Sequence, residues 1–311
     1  MADLNNTLIA IRERSLWEIC DLGLQVVRGH ARTLLLAGAA GMVPFALFNW
    51  WYLRNLPLDT QPASLMYTYR LILLMYYELP LATALLTLIL GQIMFQRLTN
   101  FRRALGEWRG SLPQLLWYQG FLRFLLFPQA FFWDAARGNF NVLLALLMLS
   151  WLFAMGRLAY LNEVILLERN PWRGQKGQLS TGQRNKALHG GDFNMIFTRG
   201  AALWLVELQL VLVCWLGIWF FRGQFSAKME LGPTMYTILF PLVFWLVSIY
   251  LTVVKFLCYL DLRIRREGWE VELALRAEAE HLMRGGPDAV TAAPRTGTAV
   301  PGARLQVEAT P

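Results

Sequence analysis

Runs of apolar residues long enough to cross a bilayer, separated by short basic segments, constrain this chain more than any other feature. Positions 33–53 hold 21 consecutive residues without a charge. At about 1.5 Å of rise per helical residue, such a run covers about 30 Å, the thickness of the hydrocarbon layer. Five further blocks of this kind follow, at 71–95, 112–132, 140–161, 200–221 and 235–260. The chain is 56% hydrophobic and only 16% charged, against about 25% charged in an ordinary soluble domain. Little polar sequence is left outside the blocks to build a soluble domain.

The block at 112–132 is the weakest, with Arg123, three glutamines and Pro128. An Arg at a helix centre opposes insertion by about 3 kcal/mol, and each Leu or Phe favours it by about 0.3–0.6 kcal/mol. The block's eleven Leu and Phe residues outweigh that cost. Charge counting decides the matter. With six spans, one side of the membrane carries four basic residues before the first span, four from Arg97 to Arg109, six from Arg169 to Arg199 and seven after the sixth. The other side carries five: Arg54, Arg70, Arg137, Arg222 and Lys228. Basic loops stay on the cytoplasmic side, so six spans with both termini cytoplasmic are expected. The net charge of +8 is then a property of these loops and not a sign of nucleic-acid binding. Trp50, Trp51, Tyr52, Trp133, Trp219 and Tyr236 fall at the outer boundary. Trp108, Trp117, Tyr118, Tyr160, Trp172 and Tyr259 fall near the inner one, where amphipathic rings are favoured.

Outside the spans, 15–32 reads as an amphipathic helix lying in the cytoplasmic interface. Glu18, Asp21, Gln25, Arg28 and Arg32 share one stripe, opposite Leu16, Ile19, Cys20, Leu24, Val26 and Val27. The expected organisation is an interfacial helix at 1–32, a transmembrane domain at 33–260, a charged cytoplasmic helix at 261–284 and a disordered tail at 285–311. Glu272, Arg276 and Glu280 support the charged helix at i,i+4 spacing, and Gly268 offers it a place to bend. The first thirty residues contain too many charges for a cleaved signal peptide. A weak parallel repeat is visible, with Asp21 and Arg28-Gly29 echoed by Asp192 and Arg199-Gly200, and Arg102-Arg103 by Arg265-Arg266.

Ionisable residues inside hydrocarbon are costly and mark candidate sites. Arg157, Glu207 and Lys255 lie at similar depth in three different spans, with Glu163 at the cytoplasmic end of the fourth. They define a candidate intramembrane polar cluster, either lining a cavity or pairing to fix helix packing. Glu78 and Arg123 form a second candidate ion pair, near Pro80. Gly38, Gly41 and Pro44 read as a close-packing face of the first span. Nucleotide, zinc-protease and nucleophile-elbow motifs are absent. Cys20, Cys214 and Cys258, like His30, His189 and His281, are scattered without ligand spacing, so neither a metal nor a cofactor is expected. His189-Gly190-Gly191-Asp192 reads as a loop-to-helix turn with Asp192 as N-cap.

Three strings carry a resemblance. They are Leu16-Trp-Glu-Ile-Cys-Asp-Leu-Gly-Leu24, Glu163-Val-Ile-Leu-Leu-Glu-Arg169 and Tyr259-Leu-Asp-Leu-Arg-Ile-Arg-Arg-Glu-Gly-Trp-Glu-Val-Glu-Leu273. The chain resembles bacterial multi-span proteins related to the membrane domain found beside glycerophosphoryl diester phosphodiesterases. The resemblance implies a helical membrane fold in the bacterial inner membrane, without phosphodiesterase activity, since the chain has no room for the catalytic barrel. The family's Arg-Ser after the mid-chain string is replaced here by a Gly- and Gln-rich loop from Arg173 to Gly191.

Taken together, the residues lead to an all-α polytopic bundle with no enzymatic chemistry. Its expected partners are the lipid bilayer and other membrane or cytoplasmic proteins. The first expectation for function is a scaffold or partner subunit; the alternative is a small transporter or lipid-handling protein that uses the polar cluster.

Overall fold

The computed structural model describes residues 15–56, 61–95, 99–121, 161–174, 179–190, 193–226 and 232–284, with scattered residues between 145 and 160; for 61–65, 226 and 267–284 it describes the backbone alone. Among the described residues all regular structure is helical. The described α-helices, in chain order, are α1 (Leu16–Leu53), α2 (Gln61–Ala82), α3 (Ala84–Phe95), α4 (Phe101–Leu115), α5 (Leu161–Leu166), α6 (Thr181–His189), α7 (Phe193–Ser226) and α8 (Phe240–Arg284). π-helical turns at Leu116–Phe121 and Met235–Leu239 continue α4 and precede α8. Among the described residues, four stretches are long and apolar enough to cross a membrane: Leu16–Leu53, Met66–Phe95, Phe193–Phe225 and Met235–Arg266. The expected third and fourth spans fall largely outside the described residues, as do Arg123, Arg157, Asp192 and the tail at 285–311.

The chain divides into two units, 1–262 and 263–311. The second unit consists, in its described part, of the end of α8, which stays helical through Gly268 to Arg284. In the first unit, α1 begins at a capping box. The Ser15 hydroxyl accepts from the Glu18 amide at 3.3 Å, and the Glu18 carboxylate accepts from the Ser15 amide at 3.4 Å, satisfying two otherwise orphaned donors. The helix is not continuous in geometry. His30 has φ −125° and ψ 25°, so the amphipathic segment and the apolar segment meet at a kink.

The second apolar block is longer than its charge-free stretch suggests, starting at Gln61 and bending near its middle. Pro80 has no N–H to donate, and its ring crowds the carbonyl one turn earlier. The helical pattern breaks at Thr83. The hydroxyls of Thr83 and Thr87 donate back to the carbonyls of Leu79 (2.7 Å) and Thr83 (3.2 Å), a bonding mode that bends helices.

Burial ranks the helices. Of the most apolar window in Met66–Phe95, 72% is buried, against 11% in Phe193–Phe225. α3 is therefore central, packed by α1 on one side and by α4 and α5 on the other. α7 turns Leu205, Leu212, Val213, Phe220 and Phe221 outward, the pattern expected of a helix whose solvent is lipid. Close approach of α1 to the end of α2 depends on Gly41, where a Cβ would overlap the Ala82 backbone carbonyl. At Gly38 a Cβ would lie 2.6 Å from the Ile249 side chain of α8. Pro44 does not share this face and is exposed. Six residues beyond Gly38, it sits about 240° around the helix.

Candidate functional site

The charged residues on α5, α7 and α8 converge on one cavity. It has a volume of about 160 Å³ and is lined by Glu163, Glu207, Ser248, Thr252 and Lys255, with Tyr76, Thr83 and Thr87 from α2 and α3. Lys255 Nζ lies 3.8 Å from Glu163 Oε1. Ser248, two turns before Lys255 on the same face, donates its hydroxyl to Glu207 Oε1 at 3.1 Å. The Thr252 hydroxyl between them is turned back onto the Ser248 carbonyl at 2.6 Å.

These positions differ from the sequence expectation in one respect. Glu163 does not trail from the end of a long fourth helix. The backbone turns at 158–160, and Glu163 belongs to the separate short helix α5, all six residues of which are buried. Glu163 is 1% exposed, and its Oε2 has no partner. Lys255 remains about a third exposed, and Glu207 is half-buried. Burying an ion pair costs several kcal/mol per charge unless every lone pair is satisfied. One carboxylate oxygen left bare is therefore a destabilising feature that packing alone does not require.

Neutral polar residues, which charge-based reading passes over, complete the interior. Gln119 on the π-helical turn donates Nε2 to Asn162 Oδ1 at 2.9 Å, and Asn162 donates Nδ2 to the Pro80 carbonyl at 2.7 Å. The bend in α2–α3 exposes a carbonyl, and the residue beside Glu163 takes it up. Asn162 thereby fixes α5 against the bend and sets the position of Glu163. The signal was present in the sequence, since Pro80 and a buried amide next to the Glu163 string are complementary, but nothing in linear spacing joins residues so far apart.

Arg123, the partner expected for Glu78, lies outside the described residues, and Glu78 takes a neutral partner that was not expected. Asn49 on α1 donates Nδ2 to Glu78 Oε2 at 2.7 Å, and both residues are buried.

Below the cavity, the segment 168–171 is clamped. Glu168 accepts from Arg184 Nε (2.6 Å) and Nη2 (3.0 Å), from Asn170 Nδ2 (2.9 Å) and from the Tyr259 hydroxyl (2.7 Å). Burial acts to raise the Glu168 pKa, but the hydrogen bonds and charge of Arg184, with those of Tyr259 and Asn170, outweigh it and hold the carboxyl below its ordinary value. Arg169, at φ 52°, turns outward to Glu107 at 2.8 Å. Gln114 Nε2 and the Thr181 hydroxyl both donate to the Asn170 carbonyl, at 3.2 and 3.1 Å. Arg199 on α7 pairs with Asp261 on α8 at 2.7 Å, with side chains 11% and 7% exposed. The loop at 173–191 contains the helix α6, opened by a Ser180–Gln183 capping box. Ser-x-x-Gln is legible as such a box, and the Gly- and Gln-rich composition hid it.

Among the described residues no group of three or more His, Cys, Asp or Glu side chains is placed to hold a metal. Cys20 and Cys258 are buried and Cys214 exposed, all as free thiols. No protein-family model matches the chain, and no curated protein or solved structure matches it significantly.

Proposed function

We propose that this chain is a small integral membrane transporter, which binds a polar solute carrying a cationic group in the cavity between α3, α5, α7 and α8. One observation carries the reading. A buried carboxylate, Glu163, faces a cavity with one oxygen unpartnered, where a packing role alone would have closed the site. The volume accommodates on the order of ten waters, or a solute of that size. Among the described lining residues, Glu163 and Glu207 together outnumber Lys255 by one formal charge, which favours a cation or ammonium group. Ser248 and Lys255, on one face of α8, hold the two carboxyl groups in place until solute arrives.

The proposal includes six spans with both termini cytoplasmic, a bacterial inner-membrane location, and kinship with the phosphodiesterase-associated membrane family. The basic loops and the three strings support these, and a reporter fused in the loop between α6 and α7 tests the topology. Transport itself is tested with purified protein in liposomes, following uptake of radiolabelled small amines such as methylammonium and putrescine. Wild-type uptake that vanishes in Glu207→Gln, with thermal stability retained, supports the reading. Uptake no greater than in protein-free liposomes for every amine tried, or a Glu207→Gln protein as active as wild type, overturns it.

A scaffold role is the second reading, favoured by the clamped cytoplasmic assembly of α4, α5 and α6. Its test is recovery of a reproducible partner from mild detergent that is lost when the Glu168 clamp is broken.

A further inference from the structure

The basic segment that follows α3 is folded as α4, and α4 is tied along its whole length to the ends of its neighbours. At its start the Asn100 amide donates to Gln92 Oε1, in the last turn of α3, at 2.8 Å. In its middle Glu107 pairs with Arg169, just past the end of α5, at 2.8 Å. Near its end Gln114 Nε2 donates to the Asn170 carbonyl at 3.2 Å. These ties are spread over about 21 Å of helix, yet all of them meet residues where α3 and α5 finish. α4 therefore runs across the ends of those helices and not upright beside them.

The two flanks of α4 differ. Counting about 100° per residue from Phe101, buried Ala104 and Leu115 fall at about 300–320°, and Glu107 and Gln114 at about 220–240°. The latter flank meets the protein's own loop. Opposite it, Leu112, Leu105 and Leu116 fall at about 20–60°, bordered by Arg109 and Arg102 at about 80–100°. Phe101 and Leu116 are 39% and 50% exposed, and both arginines are exposed. Arg103 and Arg169 share Glu107, at 3.0 and 2.8 Å. Among the described residues no carboxylate pairs with Arg102 or Arg109. Where α4 passes into its π-helical turn, the exposed rings of Trp117 and Phe121 stack at 4.9 Å, and Trp172 packs on Trp117 at 5.8 Å. Leucines edged by arginines, with tryptophans at one end, make up the face of a helix set at headgroup level.

We propose that this flank of α4 binds anionic phospholipid. The guanidinium groups of Arg102 and Arg109, two turns apart, each take a headgroup phosphate, a geometry that the planar fork of arginine matches. The acyl chains lie against Phe101, Leu105, Leu112 and Leu116. Uncompensated cations call for an anion, and leucines directly beside them call for hydrocarbon. An anionic phospholipid carries both in one molecule, whereas an acidic protein segment carries only the first. In phosphatidylcholine the headgroup's own ammonium offsets its phosphate, so the face selects lipids by net charge. None of these residues lines the transport cavity, and the two readings stand or fall separately.

The test is native mass spectrometry of the delipidated full chain in detergent, titrated with phosphatidylglycerol and phosphatidylcholine of identical acyl chains. Phosphatidylglycerol is expected to bind about tenfold tighter, and the preference to fall to about twofold in Arg102→Gln/Arg109→Gln. Both positions are exposed, so thermal stability is expected to stay at the wild-type value. Arg54→Gln/Arg222→Gln removes the same charge from exposed positions near the far ends of α1 and α7 and is expected to keep the preference. Equal binding of the two lipids by wild type, or a preference unchanged in the Arg102/Arg109 variant, overturns the proposal. An equal loss in the control variant also overturns it, since net charge and not this face would then select the lipid. So does displacement of phosphatidylglycerol by inorganic phosphate at equal concentration, which would make the site one for the free anion. A dimer that forms in place of lipid uptake would assign the face to a second copy of the chain and overturn it as well.

Discussion

The Tyr259 hydroxyl donates to Glu168 Oε1 at 2.7 Å, tying the end of the last apolar stretch to a loop 91 residues earlier in the chain. Glu168 is at the same time the acceptor for both arms of Arg184 on α6. One carboxylate thus gathers α6, α8 and the segment after α5.

This clamp makes stability depend on pH in a defined direction. The Glu168 pKa is lowered in the folded protein, from about 4.3 when unfolded. Its contribution is therefore complete above that unfolded value and is lost as pH falls through the lowered folded value. Glu168→Gln is expected to cost about 3 kcal/mol near neutrality, because it leaves Arg184, 21% exposed, without its counter-charge. The difference between variant and wild type should shrink as pH falls from 5 toward 3. Thermal unfolding in detergent across that range checks it. A constant difference would show that the carboxylate is not what holds the loop.

The α1–α2 contact predicts unequal glycines within one helix. Gly41→Ala places a methyl into the Ala82 carbonyl, backbone that cannot rotate away, and is expected to cost more than about 3 kcal/mol. Gly29→Ala meets nothing within 4 Å and is expected to be neutral, or to stabilise by about 0.5–1 kcal/mol through helix propensity. Urea or heat unfolding of the two variants side by side measures the contrast.

The Gln119–Asn162–Pro80 chain predicts coupling. Asn162→Leu strands both the Pro80 carbonyl and the Gln119 amide, at about 2–3 kcal/mol. Gln119→Leu alone strands only one acceptor. Because the two side chains share a bond, the double variant is expected to cost less than the sum of the singles, by about 1 kcal/mol. Strict additivity in a double-mutant cycle would exclude the bond.

The Glu163–Lys255 pair predicts rescue. Lys255→Met leaves Glu163 buried without its cation and is expected to destabilise strongly, by about 3 kcal/mol. Adding Glu163→Gln to that variant removes the stranded charge and should return much of the loss. A double variant less stable than Lys255→Met would show that the carboxyl group has a different principal partner.

Several features could be read from residue order. Ser15 with Glu18 three residues later marks the start of α1, and the change from striped to uniformly apolar sequence at 32–33 falls close to the kink at His30. Uninterrupted apolar runs announced the four long helices because hydrocarbon solvent leaves no other use for them. Glu163, Glu207 and Lys255 drew notice because charge is expensive in an apolar run. The structure adds the roles of residues whose type is unremarkable. Asn49, Asn162 and Ser248 look like ordinary polar interruptions until their partners, 29, 82 and 41 residues distant, come into view. Linear spacing carries local periodicity and cannot carry such pairings. α5 was hidden for another reason. Six apolar and polar residues after a long apolar block look like its continuation, and only the turn at 158–160 separates them.

The break at His30 has a mechanical consequence. An unbroken α1 would be a rod of about 57 Å, nearly twice the depth of the oily layer, and could adjust to a thicker or thinner bilayer only by leaning as a whole. The Ser15 end is anchored, since Tyr250 donates its hydroxyl to the Cys20 carbonyl at 3.1 Å. With a joint at His30, the two portions follow separate directions, and the distal one is held by Gly41 against the Ala82 carbonyl and by Asn49 on Glu78. A change in membrane thickness that tilts the distal portion is thereby passed through Asn49 to the buried carboxyl group of Glu78.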